Sequence, residues 1–146
     1  MPKYTPFTPS SIIKLKSNSS IFSTENAIVM GILNITNDSF YDGGKNVNEE
    51  DIIAQTIKML EEGASIIDIG AQSSRPGATL LAAEEELLKL LPIIKLLKTE
   101  MPEIIISIDT FWAKTAQECV QAGADIINDI SAGEMDNTMF DTIAQL

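Results

Sequence analysis

The chain has no histidine among its 146 residues and a single cysteine, Cys119. Without histidine there is no Ser-His or Cys-His dyad for nucleophilic catalysis, and no imidazole to ligate zinc. A lone cysteine excludes an intrachain disulfide and a thiolate metal cluster. Cys119 lies in an apolar stretch of helical character, so it reads as a buried free thiol rather than a nucleophile. Positive charge is also scarce: 10 Lys and Arg against 21 Asp and Glu leave a net charge of −11. That balance repels polyphosphates, and no basic cluster offsets it, which argues against nucleic acid as a partner. No run reaches the roughly 18 apolar residues of a membrane span. Residues 1–20 are polar and rich in Ser and Pro, without the apolar centre of a signal peptide. The expectation is a cytoplasmic protein with no membrane segment.

Chemistry in such a chain must rest on carboxylates, amides, hydroxyls and arginine. A hydrophobic fraction of 45% with 21% charged residues is that of a globular protein, and the length fits one domain. Past residue 26 a pattern repeats. An apolar run at 27–33 ends in Asn34; a polar loop with Asp38 and Asp42-Gly43-Gly44 follows. Asn48 then caps a helical segment with Ile53, Ile57 and Leu60 spaced for one face, stopped by Gly63. The second unit has a strand at 65–69, a loop at 70–79 and a helix at 82–99. In that helix Leu87, Leu90, Leu91, Ile94 and Leu97 face inward, and Pro92 is expected to kink it or mark a restart. The third has a strand at 104–108 and a helix capped by Thr110 that reaches Ala122, with Gly123 as its stop. The fourth has a strand at 125–128 and a helix from about Asn137.

The strands are near-continuous isoleucine runs, the pattern of parallel strands buried on both faces. Strict alternation of strand and helix argues an α/β fold with right-handed crossovers. Four βα units make half of a (β/α)8 barrel or most of a doubly wound open sheet, and the pattern alone does not choose. Residues 1–26 stand apart as an extension in which 12–15 and 20–22 form a hairpin, placed to plug the bottom of a barrel. Residues 27–146 carry the βα units.

Each strand closes on a polar group: Asn34, the loop Ser73-Ser74-Arg75, Asp109 and Asn128. In a parallel α/β sheet these share the C-terminal edge, where sites of such folds lie. Singly, each has an ordinary explanation in turn or cap chemistry. Asp68, inside its strand, reads first as a structural carboxylate bonded to neighbouring loops, because a buried carboxylate needs partners.

The segments MGILNITNDSFYDGG (30–44), DIGAQSSRPGA (68–78), ISIDT (106–110) and IINDI (126–130) together resemble the dihydropteroate synthase family in order and spacing. There are departures. Asn37 stands where the family pattern has proline, Ala71-Gln72 where it has Gly-Glu, and Ser74 where it has threonine. The resemblance implies a (β/α)8 barrel of which this chain supplies about the first four units. The reaction implied is attack of the 4-aminobenzoate amine on the methylene of 6-hydroxymethyl-7,8-dihydropterin pyrophosphate, with pyrophosphate leaving. It further implies that Asp109 and Asn128 hold the pterin and that Asn34 helps hold Mg2+ at the pyrophosphate. Ser74, Arg75 and Asp42 would sit at the substrates, with Asp109 and Arg75 catalytic and Phe40 and Pro76 forming a slot for the aminobenzoate ring. A later aspartate, a lysine loop and an Arg-x-His segment would lie in four further units, so the isolated chain is expected to be an inactive fragment. The intact enzyme is expected to be a homodimer. A methyltetrahydrofolate methyltransferase-type pterin barrel and a noncatalytic pterin-binding remnant remain as alternatives.

Overall fold

The computed structural model describes residues 27–35, 48–72 and 80–146, with the backbone of four short strands at 12–14, 21–23, 41–42 and 46–47. Strands β1 (Ile12–Lys14) and β2 (Ile21–Ser23) pair antiparallel with Ile13 opposite Phe22, the hairpin expected there. Strand β3 (Met30–Asn34) opens the βα series. After it, β4 (Tyr41–Asp42) and β5 (Asn46–Val47) pair antiparallel.

Helix α1 (Glu49–Glu61) begins where the sequence suggests: the Asn48 side chain accepts from the Asp51 N–H, and Glu49, Glu50 and Asp51 fill the positive first turn. Gly63, at φ +106°, ends the approach to the next strand in a conformation that favours glycine. The buried stripe is rotated by one residue from the expected one. Ile52 and Thr56 are buried while Ile57 is 42% exposed, because Thr56, counted as polar, sits at the centre of the inward face.

Strand β6 (Ile66–Gly70) leads to α2 (Ala83–Glu100), β7 (Ile106–Asp109) to α3 (Ala113–Gln121), and β8 (Ile126–Asn128) to α4 (Met139–Gln145). Helix α2 is one element through Pro92, so the proline marks no restart. Pro92 and Leu88 both lie on the solvent side, so water can satisfy the Leu88 carbonyl that proline leaves without a donor. Thr110 does not cap α3. The cap residue is Trp112, which makes no side-chain cap bond. The Ala113 N–H at the helix start donates instead to Asp136 Oδ2, 2.9 Å away, from the loop after β8. The same carboxylate accepts from the Thr138 N–H and hydroxyl, and these bonds, with the one from Ala113, hold its pKa below the usual carboxylate range. Asp136→Ala is expected to cost about 1 kcal/mol. Because the folded pKa is depressed, this contribution is complete above the ordinary carboxylate pKa and is lost as pH falls through the folded value. Denaturant titrations of parent and variant should converge at acid pH.

Strands β3, β6, β7 and β8 form one parallel sheet in the order β3-β6-β7-β8. Consecutive strands are neighbours throughout, with none of the order reversal that defines a doubly wound sheet. The order is that of a singly wound barrel. Side chains alternate across the strands. One face, with Leu33, Ile67, Ile69, Ile106 and Ile108, packs under Ile52 of α1 and Leu87, Leu90, Ile94 and Leu97 of α2 as the main core. The opposite face begins with an apolar layer of Ile66, Ile105 and Ile126 at its N-terminal end. Burial on both faces holds for β6 and β7. It does not hold for β3 and β8, where Ile32 is 66% exposed and Asn128 is exposed, because these two are the edges of the sheet and each has one neighbour.

At the N-terminal end of the strands, Lys98 of α2 donates to the Ile104 carbonyl at 2.6 Å and to Asp125 Oδ2 at 2.9 Å. Asp125 Oδ2 also accepts from the Ile106 N–H. The Lys98 stem lies along Gly123, where an added Cβ would meet Lys98 Cγ at 3.2 Å. Cys119 is buried in α3, and burial, reinforced by nearby Glu86, pushes its thiol up to about 12, as suits packing rather than reactivity.

Candidate functional site

The parallel register sets the strand ends side by side. Asn34 pairs with Gly70, Gly70 with Asp109, and Asp109 with Asn128. All four lie on the face opposite the main core, so three polar side chains and one glycine form a single row across the C-terminal edge of the sheet. Gly70 gives the row its closeness: a Cβ there would stand 3.2 Å from Asp109 Oδ2 and 3.6 Å from Asn34 Oδ1. Gly70→Ala should leave the fold intact, since the nearest obstacle is the end of a side chain, but it displaces the Asp109 carboxylate. A roughly tenfold loss of ligand affinity is expected, checked by calorimetry beside an unchanged circular dichroism spectrum.

One row below, Ile32, Asp68, Ser107 and Ile126 are in register on the same face. Asp68 is 5% exposed. Its Oδ2 accepts from Asn128 Nδ2 at 3.2 Å, which orients the Asn128 amide. Its Oδ1 and the Ser107 hydroxyl are buried with no hydrogen-bond partner among the described residues. Among the described residues Asp68 bonds a strand-end amide and forms the floor of the site; most of the neighbouring loop residues expected to bond it lie outside the described residues. The signal for this was parity: Asp68 and Ser107 lie two residues before Gly70 and Asp109, on the same strand face. Burial raises the Asp109 pKa above the ordinary carboxylate value, helped by the charges of Asp68 and then Asp129. Asp109 is therefore a carboxylate held among carboxylates, ready to gain from any donor or cation brought to it.

Asp129 does not enter the row. It organises the loop after β8 by accepting from the Ser131 N–H, the Ser131 hydroxyl and the Gly133 N–H at 2.7–2.8 Å. In that loop Ile130, two residues past Asn128, stands 89% exposed. Ile32, on the same sheet face, adds exposed apolar surface beside the polar row, and small-molecule sites combine the two kinds of surface. Behind β6 and β7 lies a second polar group. Gln72 exchanges two hydrogen bonds with the Leu81 backbone at 3.0 and 3.2 Å and donates to the buried Glu86 at 3.0 Å. Glu86 also accepts from the Thr110 hydroxyl at 2.6 Å. No composition signal pointed to Glu86, which closes a run of three glutamates at a helix start.

The structure thus brings Asn34, Asp109 and Asn128 together as the sequence suggests. Phe40, Ser74, Arg75 and Pro76 lie outside the described residues. Asp42 is placed by its backbone alone, opposite Asn46. Among the described residues no cluster of three or more Asp, Glu, Cys or His side chains could hold a metal ion by itself.

Over residues 30–146 the chain matches the family described as pterin binding enzyme. The mitochondrial folate synthesis bifunctional protein of Pisum sativum is 49% identical over 122 residues, covering 82% of this chain and 24% of that protein. The dihydropteroate synthase of Streptococcus pyogenes serotype M1 is 44% identical over 120 residues, covering 82% of this chain and 45% of its own length. The solved structure of Xanthomonas albilineans dihydropteroate synthase with 4-aminobenzoic acid superposes with a TM-score of 0.79 at 38% identity, over 90% of this chain and 48% of that one. That of Burkholderia cenocepacia dihydropteroate synthase complexed with 7,8-dihydropteroate gives 0.71 at 30% identity, over 92% and 44%. The chain spans less than half the length of each of these relatives. Sequential parallel strands, a polar row at their C-terminal ends and a match running through all four units agree: the chain belongs to the pterin-binding enzyme family.

Proposed function

We propose that this chain supplies the pterin-holding half of a dihydropteroate synthase, and the row Asn34-Gly70-Asp109-Asn128 is the observation that carries the reading. A pterin edge presents ring N–H donors beside a carbonyl acceptor. An ionised Asp109 accepts from the donors, while Asn128 donates and accepts on the same edge. The bond from Asn128 Nδ2 to Asp68 leaves its second N–H and its carbonyl oxygen free for that purpose. In the reaction the 4-aminobenzoate nitrogen forms a bond to the pterin methylene, the methylene–oxygen bond to pyrophosphate breaks, and the amine loses a proton. Positive charge that spreads into the ring as the leaving group departs is stabilised by Asp109, which gains strength from its partly dry surroundings.

Asn34 fits a magnesium role. Its amide oxygen is a hard ligand at the exposed end of the row, and one protein ligand suffices for an ion that keeps waters and takes phosphate oxygens. Mg2+ bound there would neutralise charge on the departing pyrophosphate. By the motif resemblance Ser74, Arg75 and Asp42 contact the substrates, Arg75 as a fork onto phosphate or carboxylate. Phe40 and Pro76 wall the aminobenzoate ring.

Isothermal titration of the chain with the dihydropterin pyrophosphate, with and without Mg2+, tests this. Saturable binding strengthened by Mg2+ is the expected result. A flat titration, or binding untouched by Asp109→Asn, would sink the reading.

A further inference from the structure

The buried cluster behind β6 and β7 has a chemistry that the proposed reaction does not use. Gln72 is the residue after β6 and its neighbour Ala71; Leu81 lies at the approach to α2, on the far side of residues 73–79. The Gln72 amide is fully committed. Its Oε1 accepts from the Leu81 N–H at 3.0 Å, and its Nε2 donates to the Leu81 carbonyl at 3.2 Å and to Glu86 Oε1 at 3.0 Å. The Leu81 carbonyl takes a second bond, from the Trp112 indole N–H at 2.9 Å. Glu86, with no exposed surface, then passes the connection on: its Oε2 accepts from Thr110, the residue after Asp109, at 2.6 Å. Thr110 in turn accepts from the Trp112 N–H at 3.1 Å. Its one hydroxyl proton therefore goes to Glu86 Oε2, a bond that favours the ionised carboxylate against the upward push of burial.

We propose that Gln72 is a positioning residue: its amide fastens Leu81 to the end of β6 and, through Glu86 and Thr110, fixes the backbone that carries Asp109, using a side chain that has no proton to lose. An amide is the side chain that suits this place, because the position needs two donors and an acceptor at once. A carboxylate of the same length offers acceptors alone. It would face Glu86 across a hydrogen bond, and two carboxylates in one buried site hold a single proton between them. The fastening would then exist only while that proton is bound, and it would loosen as pH rises. The family pattern noted above has glutamate here, so the glutamine makes the fastening of this chain indifferent to pH over the neutral range. Of the titratable groups around it, Asp109 at the end of β7 acts on Glu86, and Glu86 in turn pushes up the Cys119 thiol on α3. Thr110, Thr115 and Gln72 meet it as hydrogen-bond donors, and these bonds oppose the upward push of burial on its carboxyl.

The role in positioning Asp109 for ligand rests on the proposed pterin site; the fastening itself does not. Trp112 is the sole tryptophan of the chain, so its indole N–H gives one unambiguous signal on the Leu81 carbonyl. Exchange of that proton is followed by NMR in the 146-residue chain from pH 6 to 8.5, as protection relative to a free indole. The parent should keep constant protection. Gln72→Glu should lose at least tenfold over that range, and the double variant Gln72→Glu/Glu86→Gln should regain a flat profile. A merely structural change at residue 72 would not restore itself when Glu86 loses its charge. Equal protection of Gln72→Glu and parent at every pH would overturn the proposal, as would failure of Glu86→Gln to rescue. Should Gln72→Glu not fold at the higher pH, Gln72→Ala and Glu86→Gln in the parent background decide. The first must lower protection at least tenfold at all pH values, and the second must leave it within threefold. Titration with the pterin pyrophosphate is the second arm. Affinity of Gln72→Glu should fall with its indole protection, and an affinity that stays level while protection falls would overturn the positioning role. If the parent binds no pterin, the function proposed above fails, and the indole profiles still decide the fastening.

Discussion

Asp109→Asn is expected to weaken binding of the dihydropterin pyrophosphate about 100-fold, the worth of a charge-assisted hydrogen bond exchanged for a neutral one with a misplaced donor. The parent should show the same loss on acidification. Its Asp109 carboxyl is raised above the ordinary range by burial and by the neighbouring Asp68 and Asp129 charges. Affinity therefore falls as pH drops through that raised value, earlier than for a solvated carboxylate. Stability moves the other way. A group whose folded pKa is raised favours the fold below its unfolded pKa, and that benefit is lost as pH rises through the folded value. At neutral pH the ionised Asp109 is therefore a burden on the fold. Asp109→Asn should melt at or above the parent temperature while binding poorly, the usual exchange of stability for function at a site. Calorimetric affinities at several pH values, set against melting curves, test both halves. A variant that binds within threefold of the parent would remove Asp109 from the pterin site.

Lys98→Met should be the most damaging single change away from the site. The ammonium lies between the Ile104 carbonyl and Asp125, whose side chain has no exposed surface. Methionine keeps the stem that packs along Gly123 and deletes the charge, so a buried carboxylate loses its cation. Breaking a buried pair from one side costs about 3 kcal/mol, which for a chain of this size is roughly a 10 °C fall in melting temperature. Lys114→Met is the control. Lys114 bonds Glu84 at 2.8 Å, but both side chains are more than half exposed, and such a pair contributes little. Urea denaturation of the two variants should show a large shift in midpoint for the first and none for the second. Equal midpoints would mean that Asp125 is satisfied without Lys98.

Much of this was legible in the sequence, for local reasons. Three of the four parallel strands are short apolar runs closed by one polar residue, so the position of Asn34, Asp109 and Asn128 at a common edge follows from counting. Alternation along β6 and β7 also contained the lower row, because Asp68 shares a face with Gly70 and Ser107 with Asp109. What escaped was set by contacts distant along the chain. Asp136 caps α3 across 23 residues, while Thr110, the nearer candidate, spends its hydroxyl on Glu86 across 24. Glu86 itself sits in a run of three acids that looks like a solvated first turn, and its burial depends on Gln72 and Thr110 being there to receive it. Thr56 marks the limit of hydropathy patterning: a threonine occupies the core-facing position and an isoleucine one step along faces water. The choice between a barrel and a doubly wound sheet likewise needed the strand order, which no periodicity carries.

The two outer members of the polar row, Asn34 and Asn128, ride on β3 and β8, and these are the margins of the sheet. A margin offers an unfilled ladder of backbone donors and acceptors to whatever strand aligns with it. A parallel strand that joins β8 in register sets its own last residue beside Asn128, and one that joins β3 does the same beside Asn34. For the ligand proposed above, pairing at these margins and completing the walls around the row would be a single step, so a misaligned strand would spoil the binding row as it joined.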